Sequence, residues 1–334
     1  MGRGKAGQLG FAESEIVARD GGNKMLARID ALVDWDEVAQ GLGDLRSGKI
    51  GRTPFEPKMM MKALLLQRLY ALSDPQMEEA IKDRLSFRAF LGLGLGEAIP
   101  DHSTLWRFRE GLGERCQAVF AEIVRQIETS GFVLKQGTLI DASLVRAAVN
   151  APKPPADGDL ERDAEGKPAS KLVPSPNDPE ANWTRKDGGY HFGYKLHVAM
   201  DRNSRIVRRA VFTPANVNES AVADALIVGD EAQVLADKAY DSKERSARLI
   251  QLGIDNGIMR RGHRYKPLTR REIARNKMLS RLRGAIEPIF AQVKNVHGLG
   301  RARYRGLKRN TAAFLLTLAA MNLKRWARCQ PLTA

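Results

Sequence analysis

Cysteine is scarce in this sequence, with only Cys116 and Cys329 among 334 residues. Two thiols so far apart match no zinc-site spacing and cannot form a disulfide framework, so we expect a reducing compartment. Long apolar runs are also missing, because residues 314–321 fall well short of the roughly 18 residues of a membrane span. The first residues lack the apolar core of a secretion signal. We therefore expect a cytoplasmic protein.

Acidic residues are scarce towards the C-terminus. Residues 261–334 contain 18 Lys or Arg but only Glu272 and Glu287 as acids, whereas the preceding residues hold 36 bases and 37 acids. The net charge of +15 therefore resides in this segment, which favours binding to a polyanion over a face kept only for solubility. Residues 301–309 are predicted to form a phosphate-gripping arm, anchored by the apolar helix that follows. The bases of this arm are Arg301, Arg303, Arg305, Lys308 and Arg309.

The N-terminal part, residues 1–131, has helical apolar spacing almost throughout. Short helices joined by tight turns predict a mainly helical DNA-binding domain that resembles a helix-turn-helix module. Residues 101–112 are the better candidate for a helix that reads a DNA groove, with Arg107 and Arg109 projecting outward. A plain helical bundle explains the same spacing equally well.

Residues 132–334 have the pattern of an α/β domain. LIDAS predicts a buried strand that ends at Asp141, and VLADKAYDS predicts a strand that ends at Asp237. A hairpin that turns at 201–204 lies between them. The order of strand, hairpin, helix, strand, helix, strand and long helix predicts a ribonuclease H-like sheet.

An insertion interrupts this domain at residues 151–189, which are rich in proline, glycine and charge. This composition predicts an exposed, mobile segment. Within it, Trp183 lies beside two bases and either stacks on DNA or folds back onto the domain. His191 and His197 share one face of the next strand, but without a third ligand we favour packing or hydrogen bonding over a zinc site.

The segment RLRGAIEPIFAQVK, residues 281–294, has the apolar spacing of an amphipathic helix. Arg283, Glu287 and Lys294 are four and seven residues apart, so they share a second stripe. An ordinary solvated ion-pair array would look the same. Pro288, however, removes a backbone hydrogen bond and predicts a kink, which brings no benefit to a merely structural helix.

Three acids on separate elements are what a divalent-metal phosphoryl-transfer site requires. Asp141 and Asp237 come from predicted strand ends and Glu287 from the C-terminal helix. Lys238 and Asp241 adjoin the second acid, and we interpret them as supporting or structural residues.

These motifs resemble those of bacterial insertion-sequence transposases, especially the insertion-sequence-five group with its Asp-Asp-Glu catalytic domain. That group's third motif is Tyr, two residues, Arg, three residues, Glu, six residues and Lys. Arg283, Glu287 and Lys294 match it, while Ser280 stands at the Tyr position. The resemblance covers about residues 50–328, including ARYRGLKRN and the helical segment that begins FEPKMMMK.

The resemblance implies a DNA transposase that hydrolyses a phosphodiester at the element's end and transfers the 3′-hydroxyl to target DNA. It implies that Asp141, Asp237 and Glu287 hold two Mg²⁺ ions, with Mn²⁺ a possible substitute. Arg283 and Lys294 would hold the DNA backbone beside the scissile phosphate.

The implied partners are duplex DNA, at both the terminal inverted repeats and the target, and a second copy of the chain on that DNA. The expected location is the nucleoid of a bacterial cytoplasm. Two alternatives remain open: a ribonuclease H-like nuclease or resolvase without strand transfer, and a DNA-binding protein with an inactive core.

Overall fold

The computed structural model describes residues 23–43, 54–153, 160–162, 168–170, 175–186, 188–263 and 265–329. The chain divides into two compact units, Met1–Ser130 with Leu315–Ala334, and Gly131–Phe314. The residues after 314 thus group with the N-terminal unit, although the sequence predicts a domain that spans residues 132–334. No helix in the described ranges is long and apolar enough to cross a membrane.

The first unit is helical, as predicted. Side chains fix where its helices begin: Ser73 and Gln76 form a capping box, and Asp101 accepts a hydrogen bond from the amide of Thr104. Within the described residues before 131, the helices are α1 (Lys24–Leu32), α2 (Trp35–Gln40), α3 (Pro57–Leu69), α4 (Asp74–Asp83), α5 (Leu85–Leu91), α6 (His102–Leu112) and α7 (Arg115–Thr129).

Arg109 points inward, so the prediction that it projects outward to contact DNA is wrong. Its side chain is 5% exposed and donates two hydrogen bonds, of 2.7 and 2.8 Å, to the carboxylate of Asp74. Gln67 donates a third hydrogen bond to Asp74. Burial alone would raise the pKa of Asp74, but the hydrogen bonds from Arg109 and Gln67 lower it by more. The pKa of Asp74 therefore lies below its usual value. Arg107 remains exposed and bonds only locally, to Ser103.

The second unit is built on a mixed sheet with the strand order β6–β5–β1–β7–β8, and β4 pairs with the remaining length of β5. Strand β5 is antiparallel to β1, β4 and β6, whereas β1, β7 and β8 are parallel. The strands are β1 (Thr138–Arg146), β4 (Asn182–Lys186), β5 (Gly189–Asp201), β6 (Val207–Pro214), β7 (Gln233–Ala236) and β8 (Asp255–Ile258), with a separate pair β2 (Leu160–Arg162) and β3 (Pro168–Ser170).

Helices follow the strands in the predicted order. Apolar residues of α8 and α9 pack with Ile140 of β1 and with β7 and β8 in one buried cluster. The helices are α8 (Glu219–Leu226), α9 (Lys243–Gln251), α10 (Arg270–Arg283), α11 (Glu287–Ala291) and α12 (Leu307–Cys329).

Asp141 lies in the middle of β1, not at its end as the sequence predicted. Strand β1 continues to Arg146 because β5 pairs with it over its whole length. The parallel pairing with β7 covers only Thr138 and Leu139. Asp141 therefore lies two residues beyond the last residue of β1 that pairs with β7. Asp237 directly follows β7, as predicted.

Part of the predicted insertion belongs to the folded sheet. Trp183 lies on β4, is 5% exposed, and packs against Phe192 at a ring distance of 5.3 Å. Of the two alternatives for Trp183, the structure shows the one in which the ring folds back onto the domain and packs in its core. The rest of the insertion is described only in part, because residues 154–159, 163–167, 171–174 and 187 fall outside the described residues.

His197 is buried and bonds through Nε2 to Thr213 Oγ1 at 3.0 Å. Thr213 donates its own proton to the carbonyl of Pro214, so its oxygen accepts from the imidazole N–H. This arrangement confirms hydrogen bonding for His197.

The Arg109–Asp74 pair gives a stability prediction. Arg109→Ala should lower the free energy of unfolding by roughly 3 kcal/mol, because it leaves the Asp74 carboxylate without its cation. Since the pKa of Asp74 is lowered in the fold, the pair stabilises above the unfolded pKa and this stabilisation is lost as the pH falls. The difference in the free energy of unfolding between the unmodified protein and Arg109→Ala should therefore become smaller at acidic pH. Denaturation followed by circular dichroism measures both effects.

Arg107→Ala on the same helix is the matched control and should change stability little, since Arg107 is exposed. Equal, small losses for the two variants would contradict the structural role of Arg109.

Candidate active site

Two of the three predicted acids meet at one guanidinium group. Arg283, the last residue of α10, places Nη2 3.2 Å from Asp141 Oδ2 and Nη1 3.7 Å from Asp237 Oδ1. Each acid also accepts one local amide, from Ala142 at 2.8 Å and from Lys238 at 2.5 Å. The loops and strands of the sheet thus bring together two carboxylates and one cation.

The charge balance at this centre is incomplete. Burial raises the pKa of Asp141, and the negative charge of Asp237 adds to the rise, while Arg283 and the Ala142 amide oppose it. A partly buried carboxylate beside a second carboxylate favours more positive charge than one shared guanidinium supplies. Carboxylate oxygens are the ligands that hard divalent cations prefer, so these two acids fit such an ion.

Glu287 does not join Asp141 and Asp237 in this structure. Its side chain is exposed at the start of α11. In the described part of the chain, no three His, Cys, Asp or Glu side chains gather closely enough to hold a metal ion. The geometry therefore brings together two acids of the predicted triad and leaves the third apart.

The predicted amphipathic helix over 281–294 is helical throughout and buries Ile286, Ile289 and Val293, but it is not one regular α-helix. Helix α10 ends at Arg283, a 3₁₀ turn covers Gly284–Ile286, and a π-helical turn covers Gln292–Val296 after α11. Pro288 has no N–H to donate to the carbonyl of Gly284, and proline is favourable only in the first turn of a new helix. The irregularity predicted at Pro288 is present. It takes the form of a 3₁₀ turn followed by a new α-helical turn, and not of a kink within one α-helix.

The matching residues of the third motif are differently placed. Ser280 is exposed on α10, and Lys294 is half-buried in the π-helical turn. Burial lowers the pKa of Lys294, as do the nearby charges of Lys186 and Arg146. These three bases form a local positive field.

Two arginines of the basic arm brace the backbone. Arg301 donates to the carbonyls of Ala147 and Ala148 at 3.0 and 2.8 Å, and Arg303 donates to that of His297 at 3.3 Å. Arg301 and Arg303 nevertheless remain exposed to solvent, and the other bases of the arm, Arg305, Lys308 and Arg309, are exposed as well. The arm therefore starts from a fixed backbone position beside the end of β1.

Sequence reasoning missed Glu219, a partly buried acid at the start of α8. Its Oε1 lies 3.9 Å from Nζ of Lys195, which also donates to the carbonyl of Val217 at 2.8 Å. Burial raises the pKa of Glu219, Lys195 opposes the rise, and the charges of Asp141 and Asp237 add to it. An acid after an Asn cap is common at helix starts, so the sequence held no signal for this placement.

Tyr240 is a second residue that sequence reasoning missed. Its side chain is fully buried, and its hydroxyl has no hydrogen-bond partner among the described residues. Burial raises its pKa, and the charges of Glu219, Asp141 and Asp237 contribute. A buried hydroxyl near three acids adds to the polarity of the centre.

Comparison with known proteins agrees with this fold and acidic centre. The family model described as "Transposase DDE domain" matches residues 134–323, more than half of the chain, and "Transposase domain (DUF772)" matches residues 15–111. The chain therefore belongs to the DDE-domain transposase family. It is a DNA transposase.

One solved structure also aligns with the chain, the cryo-EM structure of the piggyBac transposase synaptic complex with hairpin DNA. The identity is 9%, the TM-score is 0.41, and the alignment covers 88% of this chain and 71% of that chain. We draw nothing further from so low a TM-score.

Arg283 gives a prediction for metal binding. Arg283→Gln should bind Mn²⁺ about tenfold more tightly, or about 1.4 kcal/mol, because a divalent ion would no longer displace a cation from Asp141 and Asp237. Affinity in both proteins should rise with pH, since protons compete for the Asp141 carboxylate. Electron paramagnetic resonance of free Mn²⁺ measures the affinity.

Arg281→Gln removes an exposed charge from the same helix and serves as the control. If Arg283→Gln binds Mn²⁺ no more tightly than this control does, then Arg283 does not compete with the ion.

Proposed function

We propose that this chain is a divalent-metal-dependent transposase of the insertion-sequence-five kind with a ribonuclease H-like catalytic domain. It cleaves DNA at the ends of its element and joins the 3′-hydroxyl to target DNA. The observation that carries the proposal is the approach of Asp141 and Asp237 to one cation from two neighbouring parallel strands. The six-stranded sheet, in which β5 is antiparallel to β1, β4 and β6 while β7 and β8 continue parallel to β1, supports the fold assignment.

Asp141 and Asp237 are the residues that would hold the metal, with Mg²⁺ the expected ion and Mn²⁺ a substitute. When bound, such ions stabilise the attacking and leaving oxygens of an in-line displacement at phosphorus. Glu287 is the proposed third acid, and the 3₁₀ turn Gly284–Ile286 is the link through which it would approach.

Glu219 is a competitor for the third position. It is already partly buried, and it interacts electrostatically with Asp141 and Asp237, whereas Glu287 is exposed. The family motif favours Glu287, and the placement in this structure favours Glu219. The two assignments give opposite results for one pair of variants.

Arg283 has two partners in succession. Before DNA binds, its guanidinium balances Asp141 and Asp237. Once released from them, its planar fork suits two oxygens of one phosphate, while Lys294 acts as a point charge nearby. The protein thereby moves a positive charge from its own acids to the DNA.

The DNA contacts of the remaining bases are also proposals. The exposed arm bases and Lys294 supply affinity for phosphates, and the helical N-terminal region, with Arg107 exposed, selects the terminal inverted repeats. Joining two ends requires a dimer on DNA, and the nucleoid is where the ends and the target lie.

Replacement of the acids tests the reaction. Asp141→Asn and Asp237→Asn should each reduce Mg²⁺-dependent cleavage and joining by about a thousandfold, or about 4 kcal/mol of transition-state stabilisation, and should leave end binding intact. The substrate is a duplex that carries the element's end, and gel separation of cut and joined strands is the readout. Glu79→Gln, which removes an exposed acid of α4, is the control.

Glu287→Gln and Glu219→Gln identify the third acid. The family assignment predicts loss of cleavage for the Glu287 variant only. Loss for the Glu219 variant only would assign the role to α8. Cleavage without any joined product by the unmodified protein would indicate a nuclease, and full activity of the Asp141 variant would contradict the proposed centre.

A further inference from the structure

A cleft of about 540 Å³ opens directly beside Asp237. Its volume lies within the range of roughly 300–1,000 Å³ that is typical of ligand sites and exceeds what a single small anion fills. The polar residues on its wall are Asn218, Asp237, Lys238, Arg260, Arg261 and Asn276. We call this feature the basic cleft. None of its bases belongs to the DNA-binding set that the sequence predicted.

The wall of the basic cleft is fixed before any ligand arrives. Asn276 accepts from the amide of Arg260 and donates to its carbonyl, both at 2.9 Å. Asp241 accepts from the Arg260 guanidinium at 3.1 Å and from the amide of Arg261 at 3.0 Å. Asp241 is thus structural, as the sequence analysis interpreted it, and it holds two consecutive arginines at the cleft.

The cleft has an excess of positive charge. Arg260 is balanced by Asp241, but the side chains of Lys238 and Arg261 are exposed, and in the described ranges neither makes a side-chain hydrogen bond or ion pair. Both cations line the same cleft as Asp237, which also belongs to the acidic centre. A wall of this sign repels metal ions and attracts phosphate.

The position of the cleft points to one kind of ligand. A strand whose scissile phosphate lies at Asp141 and Asp237 must continue past Asp237 in one direction, and there the cleft offers cations at more than one point along its wall. A strand presents several phosphates to the two cations Lys238 and Arg261, whereas a free phosphate ion would fill only part of a cleft of about 540 Å³.

We propose that the basic cleft binds the DNA phosphates adjacent to the scissile phosphate, through Lys238 and Arg261. This inference rests on the proposed function, because the acidic centre defines where the scissile phosphate lies. Lys238 and Arg261 are therefore positioning residues for the substrate strand, and they are separate from the basic arm.

The first test is the salt dependence of binding, measured in EDTA on a duplex that carries the element's end. Each neutralised phosphate contributes about −0.9 to the slope of log affinity against log salt. The double variant Lys238→Ala/Arg261→Ala should therefore show a slope shallower by about 1.8. Arg209→Ala, an exposed base on β6 at the opposite edge of the sheet, should leave the slope unchanged.

The second test locates the contact. A neutral methylphosphonate at the phosphate next to the scissile one should weaken binding of the unmodified protein but weaken the double variant no further. The same substitution far from the cleavage position should have independent, additive effects. Melting temperatures of all variants, which should match the unmodified protein, exclude loss of fold.

An unchanged salt slope, or additive effects at every phosphate, would overturn the basic cleft as a DNA site. Because binding is measured without metal, this outcome is independent of catalysis. Failure of the unmodified protein to cleave, with the coupling still present, would instead overturn the proposed reaction and leave the phosphate site in place.

Discussion

The ion pairs from Arg283 to Asp141 and Asp237 are the interaction on which the catalytic unit depends. Two carboxylates on neighbouring parallel strands repel each other, and burial raises the pKa of Asp141. One guanidinium, 3.2 Å from the first acid and 3.7 Å from the second, offsets both costs. The same guanidinium contacts both acids that we propose as metal ligands, so in this proposal Arg283 and the metal ion compete for the two carboxylates.

The reach of Arg283 depends in turn on where its helix ends. Helix α10 ends at Arg283, a 3₁₀ turn covers Gly284–Ile286, and the short helix α11 begins at Glu287 with Pro288 in its first turn. The turn Gly284–Ile286 packs against β1, which keeps Arg283 near the strand acids while Glu287 remains exposed.

Local patterns predicted much of this from the sequence. Apolar periodicity and turn residues gave the order of strands and helices, and the acid after a short apolar run placed Asp237 correctly. Contacts between distant residues could not be predicted in this way. Arg109 is buried because it pairs with Asp74, which lies 35 residues away in the sequence and could not be recognised as its partner from local spacing. Trp183 is buried because its strand, which lies inside a polar segment, pairs with β5. Glu219 meets the other acids only through the fold.

The most direct measurement is a structure of the protein bound to its element's end with Mn²⁺, located by anomalous scattering. We predict an ion between the carboxylates of Asp141 and Asp237, with the Arg283 guanidinium moved onto a DNA phosphate. An ion bound elsewhere, or Arg283 still paired with both acids beside a bound ion, would contradict the central claim that this arginine holds the place of the metal.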